Sequence, residues 1–319
     1  MKYVGIIRGG VSDEYDVSLQ TGANVLRALP RTRFIPLDIL ITREGEWNIN
    51  GYPASLEKIA RSTDVIFNAL HGTYGEDGGL QRDLETFGIP YTGSKVFASA
   101  LAMNKYIAKK KFMESGLRVP RGLTVKDGGD ISLQAISIFQ SLPLPYVVKP
   151  IASGSSVGVS LVRKFDDLLS AITNTVARGS GALVEEYIHG REITCAVAED
   201  THGGVYALPP VEVILPATKE LFDYDAKCDL QTEAICPAHL TEEETLRIQR
   251  TAIEAHKALG LAHYSRIDMV LSPRGLYVLE ANSLPGLSDT SLMPKALTAY
   301  DISFPEFVEH VLDLALAGK

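Results

Sequence analysis

The sequence predicts an α/β protein that begins with a doubly wound parallel sheet. An apolar strand at residues 3–7 runs into a glycine pair, and an amphipathic helix follows at 17–29. Two further apolar strands are predicted at 34–41 and 64–70. Strand, turn, helix and strand in this order begin such a sheet, in which ligands bind at the carboxyl ends of the strands.

The composition is that of a soluble globular protein. The 319 residues are enough for two or three domains, and 45% of them are hydrophobic while 22% are charged. The net charge of −8 argues against a general nucleic-acid or anionic-membrane binder, because no basic field would attract such a partner.

Cysteine usage and hydropathy predict a cytoplasmic protein. Cys195, Cys228 and Cys236 are odd in number and lack CxxC spacing, so a disulfide framework is not expected. The apolar run at the N-terminus is too short for a signal peptide, and no stretch is long enough to span a membrane.

A glycine-rich segment, HGTYGEDGGLQ at residues 71–81, directly follows the strand at 64–70. Binding loops lie at this position in α/β proteins, and a helix is predicted to start near Leu80. A flexible connector is the alternative, but a connector needs no histidine, tyrosine and acid pair. We therefore predict a functional loop.

A short strand at 89–92 and one long helix at 95–115 are predicted next, with Gly116 as the helix stop. The helix carries Lys105, Lys109, Lys110 and Lys111. We expect most of these lysines on a solvated face, with one able to turn inward.

Residues 146–158 have the pattern of a hairpin that covers phosphate. A strand at 146–149 ends in Lys149, and glycines and serines follow at 154–158. Such glycines let backbone N–H groups close over phosphate oxygens, and the serines add hydroxyl donors. An ordinary glycine–serine turn is the alternative.

Two adjacent acids mark the next strand. A helix at 166–178 precedes a strand at 182–188 that contains Glu185 and Glu186, and another strand follows at 193–197. Carboxylates beside an apolar strand can receive the amino and hydroxyl groups of a nucleoside. An exposed sheet edge is the alternative.

The irregular segment at 221–236 is polar, aromatic and long enough to act as a lid. Thr241 and Glu244 form a capping box for a helix that runs to about Leu259. An amphipathic helix is predicted at 305–317.

The strongest local pattern is a β-hairpin at residues 266–282, with glycine in the loop between two β-rich runs. Pairing of Ser272 with Leu276 would put Asp268 opposite Glu280. Side chains two apart share a face, which gives one polar face of Arg266, Asp268, Glu280 and Asn282. The other face would be apolar: Ile267, Met269, Leu271, Leu279 and Ala281.

This polar face predicts a metal and phosphate site. Opposed carboxylates repel each other unless a cation lies between them. A guanidinium beside three oxygen donors suits Mg²⁺ and the phosphates that it bridges. A surface hairpin with its polar face in water is the alternative.

Taken together, these segments resemble the D-alanine–D-alanine ligase family of ATP-grasp enzymes over essentially the whole chain. The matching segments, in that family's order, are GGVSDEYDVSL, HGTYGEDGGLQ, YTGS, VVKP with GSSVGV, VEEYIHGRE, FDYDAK, SRIDMVL and LEANSLPGLSDTSL. The resemblance implies a Rossmann-like pre-ATP-grasp domain at 1–94. It also implies a central ATP-binding subdomain at 95–186 and a C-terminal ATP-grasp subdomain at 187–319, which clamp ATP between them.

The resemblance also implies a reaction. The carboxylate of one amino acid attacks the γ-phosphate of ATP to give an acyl phosphate, and the amine of a second then displaces phosphate. This chemistry requires charge neutralisation around phosphate and stabilisation of an oxyanion. The implied substrates are ATP and D-alanine, the implied cofactors two Mg²⁺ or Mn²⁺ ions, and the implied assembly a homodimer that serves peptidoglycan synthesis.

Matching the family's motifs to this chain implies a role for each of several residues. The metal ions would be bound by Asp268, Glu280 and Asn282. The nucleotide would contact Lys105, Lys149, Ser155, Glu185, Glu186, Ile188, Glu192 and Lys227. The amino-acid substrates would contact Asp16, His71, Ser155, Lys227, Ser291 and Leu292. Catalytic roles would fall to Asp16, Ser155, Arg266, Ser291 and the backbone N–H of Gly286.

Two positions depart from the family's pattern as it is matched here. Asp16 stands where most members carry glutamate, which shortens the acid expected to hold the first substrate's ammonium. Cys228 stands where many members carry tyrosine, and a thiol is a weaker and shorter hydrogen-bond donor.

These departures leave a different acceptor open, such as D-lactate, D-serine or another amino acid. A nucleotide-binding protein without catalysis is a further alternative, although Arg266 and the three metal-ligand candidates are all present. A dehydrogenase is disfavoured, because the downstream motifs have no role in it.

Overall fold

The computed structural model describes residues 1–126, 128–154, 158–216 and 232–318, which form three β-sheets flanked by helices. No barrel is formed by the described strands. The α/β class predicted from the sequence is confirmed.

Sheet 1 is the predicted doubly wound sheet. Its strands are β1 (Lys2–Gly9), β2 (Phe34–Ile41), β3 (Trp47–Ile49), β4 (Tyr52–Pro53) and β5 (Val65–Asn68), in the order β4-β3-β2-β1-β5. β1 pairs in parallel with β2 and β5, whereas β3 and β4 add an antiparallel edge that was not predicted. The accompanying helices are α1 (Tyr15–Ala28), α2 (Leu56–Ser62) and α3 (Gly79–Thr86).

The predicted strand at 89–92 is reduced to one bridge between Ile66 and Tyr91. The predicted helix at 95–115 is two helices, α4 (Val96–Met103) and α5 (Lys105–Glu114). Asn104 separates them, because its side chain accepts a hydrogen bond from the Ile107 N–H and so caps the new helix.

Sheet 2 is antiparallel, in the order β6-β9-β7-β8. Its elements are β6 (Gly122–Val125), α6 (Ile131–Ser141), β7 (Tyr146–Pro150), β8 (Ser160–Val162), α7 (Phe165–Val176) and β9 (Ala182–Glu186). The two helices pack on one face of the sheet around Tyr146, Leu168 and Ile172. The opposite face is left for a ligand.

Sheet 3 contains the predicted hairpin. Its strands are β10 (Arg191–Glu199), β11 (Val205–Ala207), β12 (Val211–Ile214), β13 (Glu233–Ile235), β14 (Tyr264–Ser272) and β15 (Gly275–Asn282). The remaining helices are α8 (Glu242–Ala258), α9 (Leu292–Ala299) and α10 (Phe304–Leu316). The capping box of Thr241 and Glu244 is present at the start of α8, as predicted.

The hairpin reaches the predicted register near the site by a different route. The turn is tighter than expected, because Ser272 pairs with Gly275 rather than with Leu276. A β-bulge next to Met269 then restores the pairing of Asp268 with Glu280. The bulge also places Leu279 with Ile188 on the ligand side rather than in the core face where it was expected.

The C-terminal helices join sheet 1 to the rest of the molecule. Val4 and Phe67 of sheet 1 share a core with Met293 of α9 and Phe307 of α10. The other face of sheet 1 is covered by α2 and α3 around Ile66. No helix in the described ranges has both the length and the apolar character needed to cross a bilayer.

Candidate active site

A cleft lies between sheets 2 and 3. Val147 and Lys149 of β7 line one wall, and Thr194 of β10 and Val270 of β14 line the other. The cleft brings together most of the residues that the sequence predicts for nucleotide and metal: Lys149, Glu185, Glu186, Ile188, Glu192, Asp268 and Glu280. Leu292, which is predicted to contact the second substrate, lines it as well. Val147 and Val270 also give the two walls an apolar surface, of the kind against which a planar base can pack.

A buried ionic triad lies on the sheet 2 side of this cleft. Glu185 is 2% exposed, with Oε1 2.7 Å from Nζ of Lys109 and Oε2 2.8 Å from Nζ of Lys149. Burial alone would raise the pKa of Glu185, but the two ammonium groups outweigh it and hold the pKa below its usual range. Burial lowers the pKa of Lys109 to about 8, although Glu185 opposes that shift.

Two of the four lysines turn inward rather than the one that was expected, because Lys105 is 8% exposed and Lys109 is 5% exposed. Lys109 is the one that the sequence did not single out. It lies four residues after Lys105 on α5, so both side chains leave the same face of the helix. The spacing of four residues from Lys105 could therefore have predicted that Lys109 also turns inward.

Glu186, Ile188 and Glu192, which are also predicted to contact the nucleotide, lie outside the triad. The Glu186 carboxylate accepts a hydrogen bond of 3.0 Å from the Arg121 N–H and lies 3.3 Å from Arg274. Ile188 and Glu192 line the cleft beyond it. The Glu186 side chain is therefore held by the protein, and its backbone N–H donates to the Arg121 carbonyl at 2.9 Å.

The polar face of the hairpin forms a charge-compensated cluster. Arg266 donates two hydrogen bonds of 2.8 Å, one to each carboxylate oxygen of Asp268. Thr194 and Asn282 donate to the same carboxylate at 2.7 and 2.9 Å. Each oxygen of Asp268 thus has two donors.

Glu280, opposite Asp268, has a lysine as partner. Its Oε2 is 3.1 Å from Nζ of Lys105, which also donates to the Ser153 carbonyl at 2.8 Å. The helix break at Asn104 makes this possible, because it lets the Lys105 N–H bond to the Ile151 carbonyl beside sheet 2.

The donor set fits a hard divalent cation. Asp268, Glu280 and Asn282 offer carboxylate and amide oxygens, the ligands that Mg²⁺ and Mn²⁺ prefer. Asn282 uses Nδ2 toward Asp268, so its oxygen is not consumed by that bond. Among the described residues no group of three His, Cys, Asp or Glu side chains forms a metal site.

A second acidic cluster lies where the loops after β1 and β5 meet residue 154. A side chain at Gly154 would collide with the Glu14 carboxylate and would lie 3.5 Å from Oε2 of Glu76. Glu76 is buried and accepts a hydrogen bond of 2.8 Å from the Gly72 N–H. Burial, and then the charge of Glu14, raise the pKa of Glu76 to about 8. Such a pair attracts a cation.

The structure does not bring Asp16 to this cluster. Its side chain is 76% exposed and lies 3.0 Å from Arg43 on the outer side of α1. Glu14 occupies the inner position instead. Helical periodicity could have predicted this placement. Residues four apart share a face of a helix, so residue 14 lies on the same side as buried Ser18 and Gly22, whereas Asp16 lies on the other side.

The remaining predicted substrate residues lie beside the middle of α1 and at the start of α9. His71 is buried, and Nε2 of its ring is 2.8 Å from the Thr21 hydroxyl. Burial lowers the pKa of His71 to about 4, so the ring is neutral at pH 7. Ser291 occupies the N-cap position of α9, directly before Leu292, but its side chain makes no capping hydrogen bond. A Cβ on Gly286 would lie 3.0 Å from its Oγ.

Three sequence predictions fall outside the described residues. They concern Ser155, Lys227 and Cys228. The phosphate-covering hairpin at 154–158 is described only at its two glycines, and most of the predicted lid at 221–236 lies in the same undescribed part of the chain.

The chain matches two family models. Residues 50–94 match the D-ala D-ala ligase N-terminus and residues 112–313 match the D-ala D-ala ligase C-terminus. The D-alanine–D-alanine ligase of Syntrophobacter fumaroxidans is 38% identical over 314 residues, which cover 98% of this chain and 97% of that protein.

Solved structures are similar over the whole chain. The VanG D-Ala:D-Ser ligase of Enterococcus faecalis has a TM-score of 0.86 at 31% identity, covering 98% of this chain and 99% of that one. The D-alanine–D-alanine ligase of Bacillus anthracis, complexed with ATP, has a TM-score of 0.83 at 29% identity, covering 100% of this chain and 98% of that one.

Proposed function

The chain belongs to the D-alanine–D-alanine ligase family, and we propose that it joins two D-alanine molecules into D-alanyl-D-alanine at the expense of ATP. The observation that carries the proposal is the pairing of two sites: a cleft in which lysines lie beside carboxylate and amide metal-ligand candidates, and a cluster of Glu14 with the buried Glu76. The first site suits a nucleotide, and the second suits the ammonium group of an amino acid. The product would serve peptidoglycan precursor synthesis.

ATP would lie in the cleft between sheets 2 and 3. Ile188 and Leu279 would contact the adenine, whose amino group would face Glu185. Glu186 would contribute through its backbone and Glu192 through its carboxylate. Lys105 and Lys149, with Ser155 and Lys227 from the undescribed segments, are proposed phosphate contacts.

Two Mg²⁺ or Mn²⁺ ions would be held by Asp268, Glu280 and Asn282. Such ions, when bound, neutralise charge on the transferring phosphate. In the structure Lys105 pairs with Glu280 and Arg266 pairs with Asp268, so these two side chains balance the carboxylates that would hold the ions.

Glu14, rather than Asp16, is our candidate for holding the ammonium group of the first D-alanine. It faces the buried site beside Glu76, and a bound ammonium would offset the repulsion between the two carboxylates. His71 would contact the same substrate. Ser291 and Leu292, with Lys227, would hold the carboxylate of the second.

The bond-forming steps follow from this placement. The carboxylate of the first D-alanine attacks the γ-phosphate to give an acyl phosphate and ADP. The amine of the second attacks the acyl carbon, and phosphate leaves with the C–O bonding pair while the amine loses a proton. Arg266 and the Gly286 N–H would stabilise the oxyanion of the tetrahedral intermediate.

Three properties of the whole protein are part of the proposal. The chain would divide at 1–94, 95–186 and 187–319, a division that follows the membership of the three sheets. We propose a homodimer, which accords with the family. A cytoplasmic location accords with the free thiols of Cys195 and Cys236 and with a requirement for ATP.

The direct test is ADP release with ATP, Mg²⁺ and D-alanine, with products identified by mass spectrometry. We expect D-alanyl-D-alanine as the product. The Glu14→Gln variant should raise the KM for D-alanine at least tenfold, because it removes a charge-assisted contact. Asp16→Asn is the matched control, and it should leave that KM unchanged. Absence of D-alanine-dependent ADP release in the wild type would contradict the proposal.

A different acceptor is the second candidate, favoured by Cys228 and by the likeness to a D-Ala:D-Ser ligase. Assays with D-alanine plus D-serine or D-lactate separate the two. A mixed product formed in preference to D-alanyl-D-alanine would move the proposal to that acceptor, with the same ATP chemistry.

A further inference from the structure

A stripe of polar side chains runs along the buried side of α1. Ser18, Thr21 and Asn24 recur at every third position and are all buried. Ser18 accepts from the Gly9 N–H and donates to the Ala69 carbonyl, both at 2.8 Å. Buried hydroxyls on a helix usually bond to their own backbone, whereas Ser18 joins the ends of two strands.

Asn24, at the other end of the stripe, reaches the C-terminal part of the chain. Its Nδ2 donates to the Leu287 carbonyl at 3.0 Å and to Oδ1 of Asp289 at 3.1 Å. These bonds span more than 260 residues of sequence. The segment that they hold runs from Gly286 to Ser291, which carries the proposed oxyanion and carboxylate contacts.

Thr21, in the middle of the stripe, contacts both His71 and the segment from Gly286 to Ser291. Its hydroxyl is 2.8 Å from Nε2 of His71, and the Leu287 N–H donates to it at 3.4 Å. The side chain is 1% exposed, so water does not compete for these bonds. A single hydroxyl therefore joins the proposed ring contact of the first substrate to the segment that holds the second.

The partners of Thr21 decide the direction of the bond between its hydroxyl and His71. The Leu287 N–H can only donate, so among the described residues Nε2 of His71 is the one acceptor within hydrogen-bond distance for the Thr21 hydroxyl proton. A buried hydroxyl donor is normally used, so the Thr21 hydroxyl donates to Nε2 and its oxygen accepts from Leu287. A neutral imidazole has one N–H, which then lies on Nδ1.

We infer that Thr21 is a positioning residue, which fixes the tautomer of His71 and couples that ring to the segment at 284–291. The inference rests on the proposed function, in which His71 contacts the first D-alanine. In the fixed tautomer, Nδ1 carries the proton and Nε2 accepts from the Thr21 hydroxyl. Loss of the hydroxyl would leave Nε2 without a donor and release the ring to its other tautomer.

The test compares Thr21→Val, which keeps the shape but removes the hydroxyl, with Thr21→Ser, which keeps the hydroxyl. We expect Thr21→Val to raise the KM for D-alanine about tenfold, the effect of one buried hydrogen bond, with the KM for ATP unchanged. Thr21→Ser should keep the KM for D-alanine close to the wild-type value. Thr175→Val is the matched control, because Thr175 is equally buried on α7 and bonds only within its helix, to the Ala171 carbonyl.

The tautomer is read independently by ¹⁵N NMR of histidine-labelled protein, with the His71 signals assigned from a His71→Gln variant. The wild type should carry the proton on Nδ1, and Thr21→Val should show Nε2 protonation. A wild-type ring protonated on Nε2 would overturn the inference, as would a Thr21→Val enzyme with unchanged KM for D-alanine. A wild type inactive toward D-alanine would refute the proposed function instead, and the NMR result would still decide the role of Thr21.

Discussion

Glu185 and Glu76 are both buried glutamates, yet their surroundings are opposite. Glu185 lies between the ammonium groups of Lys109 and Lys149, and its pKa is held below the usual range. Glu76 faces another carboxylate, that of Glu14, and its pKa is raised to about 8. Burial is common to both, so the sign of the neighbouring charge decides the difference.

The difference shows what each region is prepared to bind. On the nucleotide side two lysines share the single carboxylate of Glu185, so their ammonium groups would attract added phosphate. The substrate side has carboxylates whose mutual repulsion an ammonium group would relieve. Arg266 connects the two regions, because it pairs with Asp268 and its charge partly opposes the rise in the pKa of Glu76.

Removing Arg266 should give the largest effect, since it acts on both regions. We expect Arg266→Met to lower kcat by roughly 10²- to 10³-fold through loss of an oxyanion donor. ADP release under saturating substrate measures this. Arg191→Met is the matched control, because Arg191 makes a similar two-bonded pair with Glu212 on the same sheet, outside the cleft. Equal losses in both variants would contradict the assigned role.

Breaking the triad should cost stability. Glu185→Gln leaves two buried ammonium groups without a carboxylate, and we expect the free energy of unfolding to fall by about 3 kcal/mol. Urea denaturation at pH 7 measures the change, and the KM for ATP should rise as well. Glu186→Gln should cost about 1 kcal/mol, because its partner Arg274 is half exposed. A smaller loss for Glu185→Gln than for Glu186→Gln would refute this ranking.

The pair of Glu14 and Glu76 predicts that the free energy of unfolding falls as the pH rises. The folded pKa of Glu76, about 8, lies above its unfolded value, so folding favours the protonated form. The stabilisation is complete below the unfolded pKa and is lost as the pH rises through 8, with a maximum slope of about 1.4 kcal/mol per pH unit. Glu76→Gln should remove this part of the slope in urea unfolding from pH 5 to pH 8. Parallel curves for the two proteins would contradict the raised pKa.

The smallest effect is expected on the outer side of α1. Asp16 and Arg43 form an exposed pair, and Asp16→Asn should change the free energy of unfolding by less than about 1 kcal/mol. The same thermal or urea measurement with Glu14→Gln should show a change in pH dependence that Asp16→Asn lacks. A loss of several kcal/mol in Asp16→Asn would mean that the inner and outer acids have been assigned the wrong way round.

Local patterns in the sequence determined much of this protein. Strand periodicity predicted the polar face on which Asp268 pairs with Glu280, and the capping box at Thr241 predicted the start of α8. The order of motifs predicted the family, as the comparisons confirm. These features depend on neighbours within a few residues, so a sequence contains them directly.

Tertiary structure decided which side of each element meets the ligand. It turned Lys109 toward Glu185, moved Leu279 to the cleft through a bulge, and placed Glu14 rather than Asp16 beside Glu76. It also joined Thr21 to Leu287 across most of the chain. Periodicity fixes side chains relative to their own helix or strand, whereas the partner that they face depends on packing between segments far apart in sequence.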